Sequence, residues 1–174
     1  MSIENRITEI AMKVFNATEN QVRIDHRFSG GMSNYTYLVY VNDLPYVIRI
    51  LGDGGDVLVT PELEKEHLNI VKSLDLTSNV IFFDTKTGVK VSEYVEGNAL
   101  TGKLEDTDVD NIAFMLKNLH NMKLTGQDYD LKGRLRRYEK LLINPPTLDY
   151  YTLKMFWLKM YDEIKSKAKC WKRK

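Results

Sequence analysis

Apolar residues at Ile3, Ile7, Ile10, Ala11 and Val14 recur at helical spacing and predict a helix over Ile3–Phe15 with one buried stripe. The period then changes. From Gln21 to Phe28 apolar and polar positions alternate, and Tyr35–Val41 and Pro45–Leu51 repeat the alternation with Asn42-Asp43 as the tight turn between them. Thr60-Pro61-Glu62 opens a second helix that runs to about Leu74. Thr60 is its N-cap, Pro61 pre-sets the torsion of the first helical position, and acids fill the first turn. Asn79–Phe83 and Val89–Val95 then predict a hairpin around Asp84-Thr85-Lys86-Thr87-Gly88. Beyond Gly97 the spacing is helical throughout. Thr107-Asp108-Val109-Asp110 reads as a capping-box-like start ahead of Ile112, Met115, Leu116, Leu119 and Met122. A shorter helix is expected over Leu131–Leu142, stopped by Pro145-Pro146. The last spans about Leu148 to Lys167, with Leu153, Phe156, Trp157, Met160 and Ile164 on one broad face. Five strands with one helix inserted after the third, followed by helices, make an α+β chain.

Candidate chemistry starts at the first bend of the sheet. Phe28-Ser29-Gly30-Gly31-Met32-Ser33-Asn34 carries two adjacent glycines between strands. Paired glycines let a ligand lie against the main chain. Backbone N–H groups and the Ser33 hydroxyl there could face phosphate oxygens; Gly-Gly before a strand is also an ordinary turn. Arg49, in Tyr46-Val47-Ile48-Arg49-Ile50, shares the strand face opposite Ile48 with Val47. A guanidinium placed there offers paired donors to phosphate, although an exposed strand face also tolerates arginine. A cation taken out of water needs an anion. The inserted helix offers Glu62, Glu64 and Glu66, of which Glu66 is expected to serve because it sits mid-helix, past the capping turn.

Ser29-Gly30-Gly31-Met32-Ser33-Asn34, Tyr46-Val47-Ile48-Arg49-Ile50, Glu66-His67-Leu68 and Val91-Ser92-Glu93-Tyr94-Val95-Glu96-Gly97, in this order, resemble the choline/ethanolamine kinase family. That family is related to the aminoglycoside phosphotransferases within the protein-kinase-like group. The resemblance runs from about Gln21 to His120, where Leu116-Lys117-Asn118-Leu119-His120 is similar to a helical motif of the second lobe. It implies a kinase-like N-terminal lobe with its leading helix over residues 1–96, a five-stranded antiparallel sheet with one inserted helix, and the start of a helical C-terminal lobe over 97–174. It also implies ATP-dependent, magnesium-assisted phosphotransfer to choline or a related amino alcohol. Gly30, Gly31 and Ser33 are then expected over the phosphates, Arg49 paired to Glu66 as their anchor, and the Glu93 carbonyl and Val95 N–H at the adenine edge. His120 is expected to pack or to sit between the lobes rather than to catalyse.

The family's His-x-Asp catalytic loop, its later metal-binding Asp and its aromatic cage do not occur in these 174 residues. The expectation is a chain truncated before the catalytic loop, with no catalytic or metal-ligating residue of its own, inactive alone, and prone to self-association through an incomplete C-terminal lobe. Two other readings fit the sequence: a non-catalytic pseudokinase-type module that binds nucleotide or protein, and an aminoglycoside phosphotransferase-like enzyme. Composition changes this picture little. A net charge of +1 speaks against a dedicated nucleic-acid binder. No apolar run is long enough to span a membrane, the N-terminus has no signal-peptide pattern, and the lone Cys170 suits a reducing compartment, so a cytoplasmic address is expected. Six cations without an acid between Lys165 and Lys174 read as a solvated chain end or as a tail for phosphate or anionic lipid.

Overall fold

The computed structural model describes residues 2–29, 34–55, 60–97, 104–122, 130–142 and 147–171. Helix α1 (Ile3–Phe15) starts under a Ser2 cap whose hydroxyl accepts the Asn5 N–H at 3.1 Å, and it ends at Asn16 in the left-handed conformation. Strands β1 (Val22–Arg27), β2 (Asn34–Val41) and β3 (Leu44–Leu51) follow. Helix α2 (Pro61–Val71) is extended by a tighter turn over Lys72–Leu74. Strands β4 (Val80–Asp84) and β5 (Val89–Glu93) complete an all-antiparallel sheet of order β1-β2-β3-β5-β4. Helices α3 (Asp106–Asn121), α4 (Leu131–Glu139) and α5 (Leu148–Trp171) make up the rest. Among the described residues no helix is long and apolar enough to cross a membrane.

The turns explain the register. Asn42 and Asp43 both have positive φ, 50° and 63°, the two-residue geometry whose twist matches that of the flanking strands. It pairs β2 with β3 without a slip, from Val41 against Leu44 to Asn34 against Leu51. At the β4–β5 turn, Gly88 has φ +70°, and a Cβ there would stand 2.5 Å from Leu51 Cγ. Only glycine fits both demands.

One face of the sheet carries the core. Ile48, Ile50, Val39, Val41, Tyr37, Val89 and Val91 are buried against Ile7 and Ala11 of α1. Alternation leaves Thr36, Leu38, Val47, Arg49, Lys90 and Ser92 on the other face. The expected placement of Arg49 opposite Ile48 is what the ladder shows.

Two details of the helices differ from the sequence pattern. The capping box of α3 lies earlier than Thr107: Glu105 is the N-cap and Asp108 reaches back to its N–H at 3.1 Å. His120, expected to pack or to lie between lobes, has an exposed side chain in the last turn of α3.

The chain forms two compact units, Met1–Gln127 and Asp128–Lys174. In the second, Asp130 caps α4 at the Gly133 N–H, and Glu139 accepts hydrogen bonds from Tyr150 and Lys154 of α5. Those polar contacts turn Tyr150, Lys154, Leu158 and Tyr161 inward. The broad face expected from spacing is therefore largely exposed: Leu153, Phe156, Trp157 and Ile164 each keep more than half of their surface in solvent.

Candidate functional site

The core face of the sheet holds no part-buried ion pair among the described residues. The opposite face does. Antiparallel register lays Thr36, Arg49, Lys90 and Phe83 side by side across β2, β3, β5 and β4, and beside them Leu38, Val47 and Ser92. Thr36, Val47, Arg49, Lys90 and Ser92 of these rows, with Phe28 and the segment Glu93–Val95, line a cleft of about 490 Å³. A second cleft of about 450 Å³, between α2 and β4, brings Lys65, Lys72 and Asp75 around Leu68, Val80 and Phe83. No ion pair converges there among the described residues.

An ion triad sits at the wall of the first cleft. Arg49 Nη1 donates to Glu64 Oε1 at 2.7 Å, and Lys90 Nζ donates to the same oxygen at 2.8 Å. Arg49 Nη2 donates to the Gly88 carbonyl at 3.3 Å, and the guanidinium carbon lies 5.6 Å from the Phe83 ring centre. Two atoms nearby are buried without a hydrogen-bond partner among the described residues, Arg49 Nε and Asn34 Oδ1.

The carboxylate that holds Arg49 is therefore Glu64, and the expected pairing with Glu66 is corrected. The reason is helical phase. Glu64, Leu68 and Val71 are spaced four and three residues apart and form the half-buried stripe of α2. Glu66 is two residues on, about 200° round the helix, and is exposed.

Burial pushes the Glu64 carboxyl up, but the hydrogen bonds from Arg49 and Lys90, helped by their charges, outweigh it and hold the group below its ordinary value of 4.5. A depressed carboxyl contributes stability above its unfolded value and loses it as pH falls through the folded one. Urea unfolding from neutral pH down to about pH 3 is thus expected to show the wild-type advantage over Glu64→Gln shrinking below the ordinary carboxylate value of 4.5. A gap that stays constant with pH would show that the triad adds nothing.

Of the other site residues expected from sequence, Glu93 and Val95 line the cleft at the end of β5. The Glu93 N–H is taken by the Asn79 carbonyl at 3.0 Å. The Val95 N–H, past the end of the strand, has no hydrogen-bond partner among the described residues. Gly30, Gly31 and Ser33 lie outside the described residues. The sequence reading missed Lys90, Ser92, Thr36 and Phe28. Lys90 and Ser92 were legible as the polar half of the alternation Val89-Lys90-Val91-Ser92, but nothing local told which strand they would face.

A similar fold recurs in solved structures. Choline kinase LicA from Streptococcus pneumoniae superposes with a TM-score of 0.66 at 22% identity, over 95% of this chain and 58% of that one. The fold is protein-kinase-like. LicA in complex with AMP gives a TM-score of 0.65 over the same shares of both chains. The ternary complex of streptomycin, ATP and the aminoglycoside phosphotransferase APH(2")-IIa gives 0.51 at 17% identity, over 95% of this chain and 55% of that one. This chain thus spans 55–58% of the length of these neighbours. No protein-family model and no curated protein sequence matches it.

Proposed function

We propose that this chain is the nucleotide-binding part of an ATP-dependent phosphotransferase of the choline/ethanolamine kinase family, acting on choline or a similar amino alcohol. The observation that carries the reading is one cleft with two chemically different ends. A part-buried triad of Arg49, Glu64 and Lys90 carries a net positive charge at one wall. Residues 93–95, with a Val95 N–H that has no hydrogen-bond partner among the described residues, line the other. A cation cluster suits phosphate, and an unpaired backbone N–H beyond a strand end suits the hydrogen-bonding edge of a purine. In this reading the Glu93 carbonyl and Val95 N–H hold adenine, Arg49 holds phosphate oxygens, and Gly30, Gly31 and Ser33 cover them.

Arg49 keeps its orientation because Glu64 and the Gly88 carbonyl fix two of its nitrogens. Its part is to place and neutralise phosphate, which is most of what a kinase active site contributes. Magnesium, when bound with the nucleotide, would neutralise phosphate charge alongside Arg49. Among the described residues no group of three or more His, Cys, Asp or Glu side chains comes together.

The test is binding. Thermal unfolding of the 174-residue chain is expected to shift upward with increasing ATP or AMP, as ligand linkage requires, by about 2.7 kcal/mol at a hundredfold excess over Kd. No shift and no heat of binding at millimolar nucleotide would overturn the reading. No His-x-Asp sequence occurs in the chain, so binding without choline-dependent ADP release is expected of this polypeptide. The likeness to the streptomycin-bound phosphotransferase favours one second reading, an aminoglycoside as acceptor on the same scaffold.

A further inference from the structure

Arg49 and Lys90 share one carboxylate oxygen, yet they are not held alike. Arg49 is tied at two nitrogens, to Glu64 and to the Gly88 carbonyl, and keeps only 12% of its side chain exposed. Lys90 is tied at one point: among the described residues its ammonium bonds Glu64 alone, and its side chain is 21% exposed on the wall of the cleft. An ammonium has three donors on a flexible four-carbon stem, so two remain unspent here. One carboxylate between two cations also leaves the wall one positive charge in excess, which an entering anion neutralises at little desolvation cost. The cation that can turn toward it without dismantling the rest is the singly tied one.

We propose that Lys90 is a specificity-determining residue of the cleft: its ammonium leaves Glu64 to bind the phosphates of the nucleotide, while the Arg49–Glu64 pair stays closed beneath it. This rests on the nucleotide reading above. It makes polyphosphate, rather than the base, the part of the ligand that Lys90 selects.

The experiment is calorimetric titration of ATP and of adenosine into the wild-type chain, Lys90→Met and Lys90→Arg, with thermal unfolding of each to confirm folding. Lys90→Met is expected to weaken ATP about tenfold, the loss of one charged hydrogen bond, and to leave adenosine unchanged. Lys90→Arg is expected to restore most of the ATP affinity. Equal weakening of ATP and adenosine would show that Lys90 merely braces Glu64, and unchanged ATP affinity would show that it does not touch phosphate; either overturns the proposal. Wild-type chain that binds neither ligand would overturn the nucleotide reading and this one with it.

Discussion

Glu64→Ala is expected to destabilise the protein by about 1–3 kcal/mol, whereas Glu66→Ala changes stability by less than about 0.5 kcal/mol. The two acids are one helical half-turn apart, and only the first faces the sheet. Removing Glu64 leaves Arg49 and Lys90 as directly opposed like charges on β3 and β5, both part-buried and neither with another anion among the described residues. Breaking a fully buried pair costs about 3–5 kcal/mol. Glu64 keeps 24% of its side chain exposed, and solvent screening brings the figure down. Urea unfolding of both variants at neutral pH measures the difference. Equal losses, or a larger one for Glu66→Ala, would place the anchoring carboxylate elsewhere on α2.

Ile48→Ala is expected to cost more, about 2–5 kcal/mol, and to lower the thermal midpoint of the sheet-containing unit. Ile48 is fully buried at the middle of β3, paired with Tyr37 on one side and Val91 on the other, under Ile7 and Ala11. Three lost carbons at the centre of a five-stranded sheet leave a void that neither neighbouring strand can close without breaking its ladder. Val47→Ala, one residue away but on the cleft side, is the comparison. It is half-buried and borders open space, so its loss is expected to be under about 1.5 kcal/mol. A ranking of Val47 above Ile48 by denaturant midpoint would contradict the assignment of the two faces.

The element pattern was read closely because each signal is local. α1 runs over the thirteen residues its stripe predicts, Ile3–Phe15, and Pro61 opens α2. Asn42-Asp43 turns the hairpin with the torsions that pair favours. The site was legible only in part. Arg49 could be placed on the face opposite Ile48 because a strand has period two and a residue is on one side or the other. Its partner could not, because several glutamates within two turns of α2 all satisfy composition, and the choice depends on how the helix is rotated over the sheet. Lys90 was invisible for a related reason. It lies 41 positions beyond Arg49 in sequence, and only the β3–β5 pairing brings the two together.

By itself, the order of residues determined where the strands and helices lie, which side of β3 is oily, and where a cation stands on the other side. These follow from torsional preference and from the free energy of burying apolar surface, both of which act over a few neighbouring residues. The tertiary structure alone decided that Glu64 rather than Glu66 closes on Arg49, that Lys90 shares its oxygen, and that the apolar side of α5 faces outward. Each of those is settled by the rotation of one element against another, and electrostatics acts there between groups that the chain keeps far apart.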